Sequence, residues 1–344
     1  PKPFLPLLEG DRTLLGAGVS RLSPLIAPED VYVVTDSRYA PLVQEVAPQI
    51  PAANVIGEPF GRNTAAAVAL MAHIIDRPAD EVMVVLPADQ AVQDEEGFRA
   101  ALAAAAERAA TGDLVTLGVE PTEPSTGYGY VIATGEPEIH AERETFRVER
   151  FEEKPTPERA RELIASRSAY WNAGIFVWQR AAGIAGLEKH SADISDPIRD
   201  WSAGTAPSGQ AGWPGAAAAD VYQDLRDTSI DYALLEPASL ASQVAVVPIS
   251  VGWSDLGSWS ALRDQRAADD GAPVISTEGA ARVIDVKGVD VLVYAAADRT
   301  VATVGLEGII VVDTPEALLV ISADAAQDVK QVVNLLKDEE SDLL

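Results

Sequence analysis

From residue 31 the apolar positions gather into short β-branched runs, each followed by a longer segment with helical spacing. VYVVTD reads as a strand with RYAPLVQEVAP as the helix behind it, and NVIGEP as a second strand followed by the Ala-rich helix NTAAAVALMAHIIDR. VMVVLP has no polar position, which predicts a strand buried on both faces of a parallel sheet. FRAALAAAAERAA and LVTLGV continue the series as helix and strand. The alternation predicts an α/β fold: a Rossmann-like, mostly parallel sheet with right-handed crossovers and helices on both faces.

The pattern then changes twice. After residue 120, GYGYVIAT and FRVERFEEKP alternate with period two among turn residues, so they predict antiparallel excursions from the sheet. PERARELIAS (helix), GIFVWQ (apolar strand), a loop-rich stretch at 200–220, SIDYALLE (helix) and QVAVVPI (strand) follow. Beyond residue 268 the short strands RVIDV, VLVYA, TVATVGL, GIIVVDT and ALLVIS crowd together with Gly and Asp between them, ahead of a helix, AQDVKQVVNLLKD. No regular repeat stands out. The expectation is two domains: 1–267, carrying the α/β sheet, and 268–344, small and β-rich, for which a short β-helix is one architecture.

Composition narrows the chemistry. With 344 residues and 47% of them hydrophobic, the chain can bury two modest cores. It has neither the roughly 18 uninterrupted apolar residues of a membrane helix nor a cationic leader ahead of an apolar segment, so a soluble, cytoplasmic protein is expected. The absence of cysteine excludes disulfides, thiolate nucleophiles and Cys-type zinc sites, and His73, His140 and His190 have no metal-ligand spacing. Any metal should be hard and oxygen-bound. A net charge of −27 argues against nucleic acid or an anionic membrane as partner, since both need a basic patch. Small phosphorylated ligands stay open if Lys, Arg, helix N-termini or a divalent cation reverse the local field.

In an open parallel sheet, ligands bind beyond the carboxyl ends of the strands. GRNTAAA follows NVIGEP, where Asn63 or Thr64 can cap a helix whose first amides face an anionic ligand; an ordinary capped helix is the alternative. Asp89 in LPADQ and Asp255 in GWSDLGSW are carboxylates just past strands, and each can instead be a cap or turn residue. Two such groups converging would suit Mg²⁺. Glu153 and Lys154 in FEEKP could serve a site or form a surface ion pair. In YWNAGIF, Asn172 and Gly174 lie just ahead of a predicted strand, where an amide can bond a hydroxyl and a glycine admits a ligand close to the backbone; a tight turn is the alternative. GYGY is too short for a dinucleotide fingerprint, and no Walker loop, G-x-S-x-G elbow or H-E-x-x-H is present.

In their order and spacing, PKPFLPL, EPFGRNTAAA, LPADQ, GYGYV, RFEEKP, YWNAGIF, SIDYALLE, GWSDLGSW and VVDTPEALLV with QDVKQVV resemble the sugar-1-phosphate nucleotidyltransferases, in the branch that makes GDP-mannose. The resemblance spans nearly the whole chain. It implies that Glu58, Pro59, Arg62, Asn63 and Thr64, with Asp89, lie against the guanine nucleotide. It implies that Asp89 and Asp255 hold Mg²⁺, and that Gly129, Glu153, Asn172 and Gly174 surround the mannose. Lys2 and Lys154 would face the phosphates, making Lys2, Asp89, Lys154 and Asp255 the catalytic set. Gln90 stands where the family more usually has histidine. The implied substrates are GTP and mannose 1-phosphate and the products GDP-mannose and pyrophosphate, with a homodimer as a family analogy.

A phosphate monoester has a second pKa of about 6, so a sugar phosphate is already a dianionic nucleophile at neutral pH and needs no general base. The family's Gly-rich loop, GGxGTRLWPLSR, and the central strand before it belong just ahead of PKPFLPL. They are expected upstream of Pro1, which puts Lys2, between Pro1 and Pro3, at the edge of a phosphate site. A single activity, without an isomerase fusion, is expected. Two other readings stay open: the same chemistry on another nucleotide or sugar, and a non-catalytic homologue that binds a nucleotide sugar.

Overall fold

Parallel pairing joins VYVVTD to NVIGEP and LVTLGV to QVAVVPI, in two different sheets, while VMVVLP pairs antiparallel. The computed structural model describes residues 1–8, 12–205, 207–266 and 271–338. β1 (Val33–Asp36) runs parallel to β2 (Val55–Glu58), with Val33 opposite Val55 and Asp36 opposite Glu58. β8 (Trp213–Pro214) adds to β2 on its other side. The second sheet has six strands, in the order β3 (Val82–Val85), β7 (Ala169–Gln179), β4 (Leu114–Val119), β9 (Val244–Ile249), β6 (Arg143–Glu152) and β5 (Tyr130–His140). β4 and β9 are parallel, and the remaining pairings are antiparallel. The α/β class therefore stands, with a larger sheet more mixed than the alternation suggested, because β7 runs antiparallel between β3 and β4.

Two local expectations change. VMVVLP is predicted to be buried on both faces, yet all four residues of β3 are partly exposed, whereas β4 is buried throughout. Among the described residues, β4 is bonded on both sides and β3 on the side of β7. Asn172 and Gly174 lie inside β7 rather than ahead of a strand, at a register irregularity opposite Thr116 and Gly118. Gly174 has φ +67, a conformation that interrupts the pleat and favours glycine.

Two cores flank the sheets. One is built on the helix Asn63–Ile74, whose Ala65, Ala66, Val68, Ala69, Leu70, Met71 and Ala72 are all buried; its small residues let neighbouring elements approach from several sides. The other packs Phe98, Ala101, Leu102 and Ala105 of the helix Glu95–Ala109 against Val115, Leu117, Val177 and Val247. Asp94 starts that helix by accepting the Gly97 N–H at 2.8 Å. Each fully buried Leu or Phe here contributes about 1.5–3 kcal/mol.

The C-terminal strands stack with a fixed step. β10 (Val274–Thr277), β12 (Leu292–Ala295) and β14 (Ile309–Asp313) form a parallel ladder in which Val274, Leu292 and Ile310 are partners, each 18 residues after the last. β11 (Arg282–Val286) and β13 (Thr300–Val304) form a second ladder with the same step, Arg282 to Thr300. β15 (Leu318–Ser322) closes the first ladder antiparallel to β14. This is a β-helix with an 18-residue coil, so the expectation of no regular repeat is corrected. Left-handed backbone recurs at Lys287 and Gly305 and again at Asp290 and Gly308, so the coil repeats in conformation while its residues differ.

Packing groups the chain into two compact units out of chain order. One comprises Pro1–Leu14, Asp89–Ala91 and Ser254–Leu344, the other Leu15–Ala88 and Val92–Trp253. Among the described residues, no helix is long and apolar enough to cross a membrane.

Candidate active site

The turn after β2 is held by the stretch Tyr222–Ile230. Arg62 donates from Nε to the Tyr222 carbonyl at 2.9 Å and from a terminal nitrogen to that of Gln223 at 2.8 Å. The Ala65 N–H donates to the Thr228 carbonyl at 3.2 Å, and the Ile230 N–H donates to Thr64 Oγ1 at 2.9 Å. Asn63, at φ +60, accepts the Thr64 N–H on its own side chain. Two of the first amides of this helix, those of Thr64 and Ala65, are therefore taken, and the Thr64 hydroxyl accepts from the neighbouring 222–230 stretch instead of capping. Arg62 acts as a latch.

Glu58, at the end of β2, is buried, and its Oε1 and the Tyr222 hydroxyl lack hydrogen-bond partners among the described residues. Burial pushes its carboxyl up to about 7; the nearby Tyr222 hydroxyl pulls it partly back and the charge of Asp36 adds to the rise. Asp36 itself is held low by the side chain and N–H of Arg38.

The expected sugar residues are brought together within one unit. The Asn172 N–H donates to the Gly129 carbonyl at 2.8 Å, and a Cβ on Gly129 would come within 2.3 Å of Glu153 Oε2. Asn172 Oδ1 accepts from the Gly174 N–H and from Thr116 Oγ1, both at 3.2 Å, and its Nδ2 donates to Asp231 Oδ1 at 2.6 Å. Lys154 reaches Glu153 Oε1 at 3.0 Å, and that bond raises the ammonium pKa. Lys154 is mostly exposed and has φ +44, a backbone state that non-glycine residues seldom adopt outside constrained sites. Gly129, Glu153 and Asp231 line one small pocket with Tyr232.

Asp231 lies inside SIDYALLE, a stretch whose pattern gave it no role of its own. Its partner Asn172 is 59 residues away, and its own signal is local: it opens a π-helical turn, Asp231–Leu235, and such turns concentrate at functional sites. Burial raises its carboxyl pKa against the pull of the Asn172 amide, and the charge of Glu153 raises it further. Thr116 was likewise hidden, as one polar residue in an apolar strand.

The other unit holds the remaining three candidates around one ammonium. Lys2 Nζ donates to Asp89 Oδ2 at 3.1 Å and also to the Asp255 carbonyl, so one cation bridges the Asp89 carboxylate and the Asp255 backbone. The Asp255 carboxylate accepts the Gly257 N–H at 3.0 Å, and Leu256 between them has φ +47. The Lys2 and Asp89 side chains are 31% and 37% exposed, open enough for exchange with ligand and water. Among the described residues, no group of three or more His, Asp or Glu is gathered for a metal. Mg²⁺ in general needs few protein ligands, because that ion keeps several waters and completes its shell with substrate phosphates.

Comparison with known proteins gives a consistent result. A family model described as Nucleotidyl transferase matches residues 1–270, and one described as MannoseP isomerase/GMP-like beta-helix domain matches 281–336. The alginate biosynthesis protein AlgA of Pseudomonas aeruginosa is 37% identical over 341 residues, covering 97% of this chain and 67% of that protein. The mannose-1-phosphate guanylyltransferase of Escherichia coli K12 is 36% identical over 98% of this chain and 69% of its own length. The crystal structure of mannose-1-phosphate geranyltransferase from Thermus thermophilus aligns with a TM-score of 0.83 at 33% identity, over 98% of this chain and 92% of that one.

Proposed function

The chain belongs to the nucleotidyl transferase family, and from that premise we propose that it makes GDP-mannose and pyrophosphate from GTP and mannose 1-phosphate. Base and sugar follow the named relatives. The observation in this chain that carries the reading is the group of Gly129, Glu153, Asn172 and Gly174, which offers a carboxylate, an amide and close backbone to a polyhydroxyl ligand, with the Lys154 ammonium beside them.

The mannose 1-phosphate dianion attacks the α-phosphorus of GTP in line; the new P–O bond forms as the bond to the bridging β-phosphate oxygen breaks, and pyrophosphate leaves. No residue has to remove a proton. Lys154 would hold the attacking phosphate by charge, and Lys2, displaced from Asp89 onto the triphosphate, would stabilise charge on the departing oxygens. Asp89 and Asp255 would hold Mg²⁺, which when bound supplies further neutralisation of the phosphate oxygens. The turn at Glu58–Thr64 would contact the nucleotide through Pro59 and the exposed face of Asn63. On this reading residues 1–267 are the catalytic region, 268–344 an accessory β-helix, and the protein works in the cytoplasm.

The test is pyrophosphate release by the full-length protein with GTP, mannose 1-phosphate and Mg²⁺, against an Asp89→Ala control. Release no greater than the control would overturn the reading. Comparing kcat/KM for GTP with that for UTP, dTTP and ATP tests the base, and the same comparison across sugar 1-phosphates tests the sugar. GDP-mannose binding without turnover would point to the non-catalytic alternative.

A further inference from the structure

Asp231 has no part in the reaction set out above, yet it decides how Asn172 is held. The Gly174 N–H can only donate and an ionised carboxylate can only accept. With Gly174 and Thr116 on Oδ1 and Asp231 on Nδ2, the Asn172 amide has a single orientation that satisfies all three partners. One of the two Nδ2 hydrogens goes to Asp231, and the other remains for a ligand beside the pocket that Asp231, Gly129 and Glu153 line, Gly129 being the residue whose carbonyl accepts the Asn172 N–H.

The stretch carrying Asp231 has two separable jobs. Its backbone, at Thr228 and Ile230, holds the turn of Thr64 and Ala65 on the nucleotide side. Its side chain at Asp231 reaches the sugar residues. Removal of the carboxylate alone should therefore leave the first job intact.

We propose that Asp231 is a positioning residue for the sugar phosphate: its carboxylate locks the Asn172 amide so that the second Nδ2 hydrogen faces a sugar hydroxyl. The inference rests on the proposed function, in that the ligand at Asn172 is a sugar 1-phosphate. It extends that reading by assigning sugar affinity to a residue that need not touch the sugar. A rotated amide would turn its oxygen toward the Asp231 carboxylate and an N–H toward the Gly174 N–H, whereas the Thr116 hydroxyl could accept from it and donate to the Ile175 carbonyl; Asp231 and Gly174 are therefore the partners that fix the orientation.

The experiment compares the full-length wild type with Asp231→Ala, Asp231→Asn and the exchange pair Asn172→Asp with Asp231→Asn. KM and kcat are measured for GTP and mannose 1-phosphate, with calorimetric binding of each substrate and thermal midpoints. Asp231→Ala should raise KM and Kd for mannose 1-phosphate about 10- to 100-fold and leave those for GTP within about twofold. Asp231→Asn should lose less, because its amide oxygen can still accept from Asn172. The exchange pair keeps the bond between the two positions but leaves residue 172 without a side-chain N–H for the sugar hydroxyl, so it should bind mannose 1-phosphate no better than Asp231→Ala, and recovery of wild-type affinity would overturn the proposal.

Unchanged sugar affinity in Asp231→Ala would overturn the proposal. So would an equal fall for both substrates with a lowered midpoint, which would make the side chain a prop for the 228–231 stretch. If the wild type binds GTP but no sugar 1-phosphate, the proposed function falls and takes this inference with it. Wild-type turnover with an indifferent Asp231→Ala removes this inference alone.

Discussion

Asn172 is gripped at both ends of its amide, by Thr116 and Gly174 on the oxygen and by Asp231 on the nitrogen, whereas the Asp89 carboxylate meets a single ammonium, that of Lys2. The first arrangement ties β7 to β4 and to the turn opened by Asp231, and could not shift without breaking several bonds at once. The second is a partly exposed ion pair of a kind worth about 0–1 kcal/mol, easily traded for other charges. The contrast suits two different tasks. A sugar is recognised by hydroxyl geometry that must be in place before it arrives, while triphosphate and metal bring charge that must displace something already there.

The comparison breaks most readily at Asp89. Asp89→Ala should lower kcat by on the order of a hundred- to thousandfold, the scale of losing one preorganised electrostatic partner at developing charge. Its thermal midpoint should stay within about 3 °C of wild type, because an exposed pair contributes so little to folding. A large drop in the midpoint would mean that the pair is structural and the contrast mistaken.

Glu58 tests the buried case without a full set of partners. Its carboxyl, raised from 4.5 to about 7, stays protonated in the folded chain where the unfolded chain has already ionised. Its contribution to stability is therefore complete below pH 4.5 and is lost as the pH climbs to about 7. Glu58→Gln should flatten that part of the pH profile, and above pH 7 it should be more stable than wild type by on the order of 3 kcal/mol. Denaturant titrations of both proteins across that range would show it; parallel profiles would mean that Glu58 is not the titrating group.

Gly129→Ala sharpens the sugar side. The new methyl would sit 2.3 Å from Glu153 Oε2, so Glu153 must swing away and take the partner of Lys154 with it. KM for mannose 1-phosphate should rise about tenfold, the loss of roughly one hydrogen bond, with KM for GTP unchanged. Steady-state kinetics with each substrate varied in turn would reveal an effect on both, which would count against separate sites. The smallest effect belongs to Lys2→Met. Its cost to stability in the unliganded protein should be below about 1 kcal/mol at low salt and vanish near 1 M salt, where the screening length is about 3 Å. A cost independent of salt would show that packing and not charge holds Lys2.

Most elements were legible because their apolar period is local. VYVVTD, NVIGEP, LVTLGV and PERARELIAS each carry their own signal, and the structure forms strands or a helix within them. The paired position of Asn172 inside β7 was hidden, since Gly174 looked like a turn until its partners on β4 were known. Candidate residues could be named from motifs, whereas their bonds could not: the resemblance places Arg62 against the nucleotide, and nothing in its motif announces the two carbonyls, 160 and 161 residues away, that accept its N–H groups. The C-terminal repeat escaped notice because its corners put lysine and glycine, then aspartate and glycine, into the same backbone state.

That repeat also sets the lengths the C-terminal domain can tolerate. Because Val274, Leu292 and Ile310 stack at 18-residue steps, loss or duplication of one whole coil would keep every inward side chain inward and change only the number of rungs. A single-residue deletion within β12 would instead exchange its two buried faces, moving Val293 away from Val283 and Val301 of the second ladder and Leu292 and Tyr294 away from Leu262 and Trp259. A change of 18 residues should therefore preserve the ladder register, and a shorter insertion or deletion should be borne best at the corners between strands.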